Sequence, residues 1–140
     1  MKELTKNIWS VVMAGGSGSR LWPLSRTSMP KQFCSIDGKD NLFYQTIYRA
    51  SQLGDSNPLL VIINIEYKFL AIQELDRLGI DYHLILEPEK RNTAPAIAIA
   101  CRYALNFDNN PQLLVLSSDH YISSQEAFSS TILDTVNAST

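Results

Sequence analysis

Residues 8–20 have the sequence IWSVVMAGGSGSR, in which a mainly apolar run leads into three closely spaced glycines and an arginine. An apolar run of this length is typical of a strand that is buried on both faces of a parallel sheet. The glycines end the strand and let the backbone come close to a ligand. This stretch therefore predicts a first strand at residues 8–13 that delivers a glycine-rich loop to one edge of a sheet.

Further apolar runs, at 59–63, 83–86 and 113–116, alternate with stretches of helical periodicity. The expected helices lie between residues 41 and 54, 67 and 78, 93 and 105, and from about 124 to 136. Alternation of this kind predicts the α/β class, with parallel strands joined by crossover helices. We expect a Rossmann-like, three-layer α/β/α fold with a mostly parallel sheet, and a single compact core over residues 1–140.

Local signals set the expected bounds and faces of these helices. Asn41 can cap the first helix and Gly79 can stop the second. Thr93 can cap the third helix, in which Pro95 suits the first turn. The positions expected to line the buried side of that third helix are Ala94, Ile97, Ala98, Cys101 and Leu105.

The composition excludes several classes of protein. A hydrophobic content of 45% and a charged content of 19% are typical of a globular domain, and a net charge of -2 lacks the positive excess of a nucleic-acid binder. The apolar run at 8–14 is too short for a signal or membrane-spanning segment, so we expect no membrane association and a cytoplasmic location. Cys34 and Cys101 lie far apart without metal-ligand spacing, which indicates neither a zinc site nor a disulfide framework.

The segment from Ala14 to Asp40 is too rich in Gly and Pro for a long helix, and long irregular connections inside a domain are usually functional. In an open parallel sheet, ligands bind beyond the carboxyl ends of the strands, where this segment begins and where Asp119 follows another strand. The backbone amides of a glycine-rich loop can surround an anion, and Arg20 and Lys31 add positive charge. These residues predict a site for a nucleoside triphosphate.

Two common phosphate motifs do not fit this loop. A P-loop needs Lys followed by Ser or Thr, where this chain has Arg20 and Leu21, and the dinucleotide fingerprint needs a third glycine where Leu21 stands. A glycine-rich turn without a ligand remains an alternative at this stage. Asp119 has a competing interpretation as a turn cap, and Trp22 and Phe33 are expected to anchor the loop by burial.

Three longer segments resemble a known family. Residues 15–26, GGSGSRLWPLSR, followed by Pro30-Lys31-Gln32-Phe33, resemble the signature of bacterial mannose-1-phosphate guanylyltransferases. Residues 87–96, which begin Glu87-Pro88 and include Arg91-Asn92-Thr93, and residues 114–120, which end in Asp119-His120, are similar to further motifs of that family. The resemblance extends over almost the whole chain.

The resemblance implies transfer of GMP from GTP to mannose-1-phosphate, giving GDP-mannose for polysaccharide synthesis and releasing pyrophosphate. It assigns Arg20 and Lys31 to catalysis at the phosphates and Asp119 to a Mg²⁺ ion. The implied nucleotide-binding residues are Ala14, Gly15, Gly16, Ser17, Gly18, Ser19, Arg20, Lys31, Glu87, Arg91, Asn92 and Thr93. The segment 87–93 would lie near the base and the ribose.

Two features depart from that family. Ser117 and Ser118 stand where its members more often have Pro and Ala, and we expect this to change packing without changing chemistry. Family members also continue into a sugar-binding half that supplies a second Asp. The resemblance therefore implies that residues 1–140 are the nucleotide-binding N-terminal part of an incomplete nucleotidyltransferase domain, and this chain alone is expected to bind nucleotide weakly and to turn over little. Two alternatives stay open: a nucleotidyltransferase that uses UTP or dTTP with glucose-1-phosphate, and a non-catalytic nucleotide-binding module. Homo-oligomerisation also stays open.

Overall fold

The computed structural model describes residues 8–14, 30–35, 38, 40–53, 57–87, 93–118 and 125–139. The strands are β1 (Ile8–Ala14), β2 (Leu59–Asn64), β3 (Tyr82–Glu87) and β4 (Gln112–Ser117). The helices are α1 (Leu42–Ser51), α2 (Lys68–Leu78), α3 (Thr93–Leu105) and α4 (Gln125–Ser139), with short 3-10 helices at Lys31–Phe33 and Ile65–Tyr67. Strands and helices alternate as the sequence predicts.

The described strands form one parallel sheet in the order β3-β2-β1-β4. β1 is central, because Val12 is in register with Val61 of β2 and Val11 is in register with Val115 of β4. β2 pairs in turn with β3, with Ile62 opposite Ile85. The predicted parallel α/β sheet is therefore confirmed.

Helices cover both faces of this sheet. Val12 and Ala14 of β1 point toward α1 and α2, where they join a core that includes Phe43, Ile47 and Leu75. The alternate residues of β1 pack against α3 on the opposite face. The path from β3 to β4 runs back across the sheet, and a right-handed crossover in the reverse direction puts its helix on the other side. The result is the predicted three-layer arrangement.

Two of the predicted signals at helix ends are confirmed, the cap at Asn41 and the stop at Gly79. The Asn41 side chain accepts a hydrogen bond of 2.7 Å from the backbone N–H of Tyr44, which caps α1. Gly79 follows α2 with a φ of 73°, a left-handed conformation that glycine adopts without strain. α1 ends at Ser51, a little before the expected stop near Gly54.

The predicted buried face of α3 is wrong. The residues that pack against the sheet are Ala96, Ala100 and Ala104, whereas Ala98 and Leu105 are exposed and Cys101 is half-buried. The reason is that α3 is apolar nearly all round, so its periodicity does not single out one face. The small side chain of alanine lets a helix approach a sheet closely. The three alanines at 96, 100 and 104 therefore face the sheet.

An arginine joins α4 to the same side of the sheet as α1. Arg49 of α1 is 4% exposed, and its guanidinium lies 5.5 Å from the centre of the Phe128 ring of α4. Burial lowers the pKa of this guanidinium from its ordinary value. Phe128, Ile132 and Val136 of α4 pack against Ile8 and Leu53, as their spacing predicts. Within the described residues, no helix combines the length and the apolar character that crossing a membrane requires.

The centre of the core can be tested with two phenylalanines. Phe43 is fully buried, and we expect Phe43→Ala to lower the free energy of unfolding by about 3–5 kcal/mol, because it removes an aromatic ring and leaves a cavity. Phe69→Ala is the control, since Phe69 is 78% exposed and its loss should change stability by less than about 0.5 kcal/mol. Urea unfolding followed by circular dichroism measures both, and equal effects would contradict the packing described above.

Candidate functional site

The strand order creates a crevice where β1 and β4 lie side by side. From β1 the chain moves outward to β2 and β3, and then crosses to the other side of β1 to form β4. In open α/β sheets, ligands bind at such a reversal, beyond the carboxyl ends of the strands. Ala14 ends β1 and Ser117 ends β4, so the segments 15–29 and 119–124 both leave from this edge.

Ser118 ties the ends of β1 and β4 together. Its backbone N–H donates to the carbonyl oxygen of Met13 at 3.1 Å, and its hydroxyl donates to the same oxygen at 3.0 Å. Ser118 is 1% exposed, so these bonds are shielded from water. At Ser118, where the sequence predicts only a change in packing, the side chain therefore makes a hydrogen bond that alanine could not make.

Gln32, in the 3-10 helix Lys31–Phe33 that follows the segment 15–29, bonds to the end of β1. Its side-chain Nε2 donates to the carbonyl oxygen of Ala14 at 3.1 Å, and the residue is 3% exposed. Two successive carbonyls of β1 are thus held, Met13 by Ser118 and Ala14 by Gln32. We call these four residues the β1 junction.

The 3-10 helix that carries Gln32 is anchored from behind. Phe33 is buried, as predicted, with its ring centre 5.0 Å from that of Phe43 in α1. Cys34 donates its thiol to the carbonyl of Pro30 at 3.4 Å, and burial raises the pKa of that thiol. Pro30 is itself fully buried. The end of the connection is therefore buried at Pro30 and packed against α1 through Phe33.

The far end of the same edge is formed by β2 and β3. Glu87, the last residue of β3, is 5% exposed and is in register with Asn64 at the end of β2. Neighbouring strands are about 4.8 Å apart, so β3 lies about 10 Å from β1 across the sheet. α3 begins directly beyond, at Thr93, with its N-terminus at this edge. Thr93 is thus the first helical residue, and the predicted capping of α3 by Thr93 or Asn92 involves side chains outside the described ones and stays a prediction.

The predicted site residues fall into two groups. Ala14, Lys31, Glu87 and Thr93 all lie at the carboxyl edge of the sheet, although the side chains of Lys31 and Thr93 are not described. The others lie outside the described residues and keep their roles as predictions: Gly15, Gly16, Ser17, Gly18, Ser19, Arg20, Arg91, Asn92 and Asp119. Trp22 also lies outside them.

The Mg²⁺ site stays a prediction. Across the described parts of the chain, no group of three His, Cys, Asp or Glu side chains could hold a metal ion. Asp119, the predicted ligand, directly follows the β1 junction through Ser118. Mg²⁺ prefers oxygen ligands and is usually bound by one or two carboxylates together with substrate phosphates, so a carboxylate at this edge fits it.

Sequence reasoning missed Gln32 and Ser118 as structural elements of the site. For Gln32 the sequence gives a weak signal of a buried polar contact, because this polar residue stands between Lys31 and the apolar Phe33. For Ser118 the sequence gives no such signal, because its partner Met13 is 105 residues away. The contact can be identified only after β4 has been placed beside β1. Both act through long-range contacts that local patterns do not contain.

The fold is that of a parallel α/β protein with a crevice at the carboxyl edge of its sheet. The profile of the nucleotidyl transferase family matches residues 9–139, and the chain belongs to this family.

Within the family, the chain is similar to mannose-1-phosphate guanylyltransferases. It is 49% identical to mannose-1-phosphate guanylyltransferase RfbM of Salmonella typhimurium over 127 residues, which cover 87% of this chain and 26% of that protein. It is 46% identical to the mannose-1-phosphate guanylyltransferase of Salmonella montevideo over 128 residues, 91% of this chain and 26% of that protein. The chain thus spans about a quarter of the length of these relatives.

A solved structure agrees with the fold. The crystal structure of a protein described as mannose-1-phosphate geranyltransferase, from Thermus thermophilus, superposes with a TM-score of 0.79 at 31% identity. The match covers 94% of this chain and 38% of that one.

The Ser118 hydroxyl can be tested by its removal. Ser118→Ala keeps the backbone hydrogen bond to Met13 and loses the side-chain one, so we expect the free energy of unfolding to fall by about 1 kcal/mol. Ser51→Ala is the matched control, because the Ser51 hydroxyl also donates to a backbone carbonyl but does so on an exposed helix surface. Its effect in the same urea titration should stay below about 0.5 kcal/mol. A control effect as large as that of Ser118→Ala would show that the buried location is unimportant.

Proposed function

We propose that this chain is the nucleotide-binding part of an enzyme that transfers GMP from GTP to mannose-1-phosphate, forming GDP-mannose and pyrophosphate. The observation that carries the proposal is the β1 junction. It joins the end of β1, from which the segment 15–26 leaves, to Gln32 of the segment 30–33 and to Ser118 of the segment 114–120. These are the three segments that resemble guanylyltransferase motifs at the phosphates. The 46–49% identity to curated guanylyltransferases supports the same activity.

The proposed roles follow from the charge of a triphosphate. The amides of Gly15, Gly16 and Gly18 donate to its oxygens, while Arg20 can bind two oxygens at once and Lys31 supplies a mobile point charge. The end of β1, where Ala14 is 2% exposed, provides a base that excludes water beneath the phosphates. Charge-assisted hydrogen bonds are stronger in such a shielded place than in water.

The width of the sheet edge suits the length of the nucleotide. With the phosphates over the β1–β4 crevice, the ribose and base extend toward β2 and β3, about 10 Å away by strand spacing. In this proposal the base would lie near Glu87 and the segment that leads through Arg91 and Asn92 to Thr93. Glu87 is buried at the end of β3, so it belongs to the sheet edge itself.

The reaction needs no general base. An oxygen of the sugar phosphate attacks the α-phosphorus, a new P–O bond forms, and the bond from the α-phosphorus to the bridging oxygen breaks as pyrophosphate leaves. The nucleophile is already ionised at neutral pH, so the barrier lies in bringing two anions together and in the charge on the leaving group. Arg20 and Lys31 would offset both. A Mg²⁺ ion held by Asp119 would neutralise further charge on the phosphates.

The surface around β4 supports a larger domain in the whole enzyme. β4 is an outer strand of the described sheet, and Val115 on its α3 side is 36% exposed. On the other side, a groove of about 330 Å³ separates β4 from α4. Leu105 and Ile99 of α3 are about half exposed. We propose that, in a protein of the relatives' length, further polypeptide covers this surface and supplies the sugar site.

Nucleotide selectivity tests the proposal. With Mg²⁺ present, the chain should bind GTP more tightly than UTP or dTTP in equilibrium dialysis, and should release little pyrophosphate with mannose-1-phosphate. Arg20→Ala and Lys31→Ala should each weaken GTP binding about tenfold or more, because each removes a charge-assisted hydrogen bond. Arg102→Ala is the control, since Arg102 is exposed in the last turn of α3, away from the carboxyl edge.

Other outcomes would point elsewhere. Preference for UTP or dTTP would favour a different sugar nucleotide, and absence of any nucleotide binding would overturn the proposal. Equal losses in all three variants would show a general effect of charge and no specific phosphate site.

A further inference from the structure

The Gln32 hydrogen bond spans the whole of the glycine-rich connection. Its donor follows Lys31 directly and its acceptor, the carbonyl of Ala14, precedes Gly15 directly, so the bond joins the two ends of the segment 15–31. Both partners are almost fully buried, at 3% for Gln32 and 2% for Ala14. A buried carbonyl that loses its donor costs free energy, which keeps this bond closed in the native chain.

We propose that Gln32 is a positioning residue for nucleotide binding, which closes the base of the phosphate loop. The inference rests on the proposed function. Gln32 fixes the distance between the first glycine of the loop and Lys31 before any nucleotide arrives. Gln32 itself touches no phosphate in this scheme and acts through the backbone of its neighbours.

The physical reason is entropy. Bringing the ends of a loop of about 17 residues together costs conformational entropy, and ordering its amides around a phosphate costs more. In a loop whose ends are already joined, the entropy cost of closing the loop has been met during folding. Less of the binding free energy is therefore lost when the nucleotide binds. Phe33 holds the 3-10 helix against α1, whereas the Gln32 side chain holds the same helix to β1.

The β1 junction extends this link to the third segment. Ser118 holds the carbonyl of Met13, next to the carbonyl that Gln32 holds, and Asp119 follows Ser118. Gly15, Lys31 and Asp119 are therefore each one residue from a member of one short hydrogen-bonded cluster. Loss of the Gln32 side chain removes the hydrogen bond between the 3-10 helix and β1, while the Ser118 bonds and the packing of Phe33 against α1 stay in place.

An isosteric variant with a pH-dependent donor tests the proposal. In Gln32→Glu, an ionised carboxylate cannot donate to Ala14 and repels its carbonyl, whereas the protonated form regains an O–H donor. Burial raises the pKa of such a carboxyl, which brings its titration toward neutral pH. The affinity for GTP with Mg²⁺, relative to the unmodified chain at the same pH, should be about tenfold or more weaker at pH 8. The deficit should shrink as the pH falls to about 5.5.

Two further variants serve as controls. Gln45→Glu changes a glutamine that also donates through Nε2 to a backbone carbonyl, that of Asp40 at 2.6 Å, but on an exposed surface. Its affinity for GTP should match that of the unmodified chain at both pH values. Gln32→Met removes the donor without adding charge, so it should weaken binding at both pH values with no recovery in acid.

Affinity separates positioning from mere stability. A residue that contributes to stability alone would lower the unfolding temperature but leave the Kd of the folded chain unchanged. Circular dichroism confirms that each variant is folded at the titration temperature, and Gln32→Met provides the result if Gln32→Glu does not fold. Normal GTP affinity in Gln32→Met, or a Gln32→Glu deficit that does not shrink in acid, would overturn the role of Gln32. Failure of the unmodified chain and Gln45→Glu to bind GTP would instead overturn the proposed function and this inference with it.

Discussion

The parallel pairing of β1 with β2 on one side and β4 on the other is the constraint on which this structure depends. Parallel strands need crossover connections, so the carboxyl ends of all the described strands lie at the same edge of the sheet. β1 is buried on both faces, so a shift in its register would move apolar residues out of both helical layers. Ala14 and Ser117 are therefore held at fixed positions, and the loops that follow them start from a rigid base.

The proposed chemistry uses this rigidity. A nucleotidyl transfer between two phosphates needs placement and charge compensation more than it needs a proton acceptor, and placement is what the end of a buried strand provides. The β1 junction adds side-chain hydrogen bonds at the point where the regular sheet stops. In the proposed function, the amides of the glycine-rich loop would bind the phosphates next to this fixed end of β1.

Much of the fold is predictable because its signals are local. The apolar runs of the strands, the Asn41 cap and the Gly79 stop each act within a few residues of themselves, and all three are found as predicted. The inner face of α3 is not predictable in this way, because alanines and isoleucines occur on nearly all sides of this helix. Which side faces the sheet depends on how closely the helix and the sheet can pack.

The site divides along the same line. Glycines and cations after β1 indicate an anion site by their type and spacing, so the kind of ligand can be predicted from the sequence. The contacts of Gln32 and Ser118 cannot, because each reaches a carbonyl 18 or more residues away. Their meaning appears once the order of the strands is known.

The most direct test is a crystal structure of the chain grown with GTP and Mn²⁺, whose anomalous signal locates the metal. We expect the triphosphate over the end of β1, with the amides of the glycine-rich loop on its oxygens and the anomalous peak between the phosphates and Asp119. A nucleotide bound away from the β1–β4 crevice, with the metal remote from Asp119, would contradict the account.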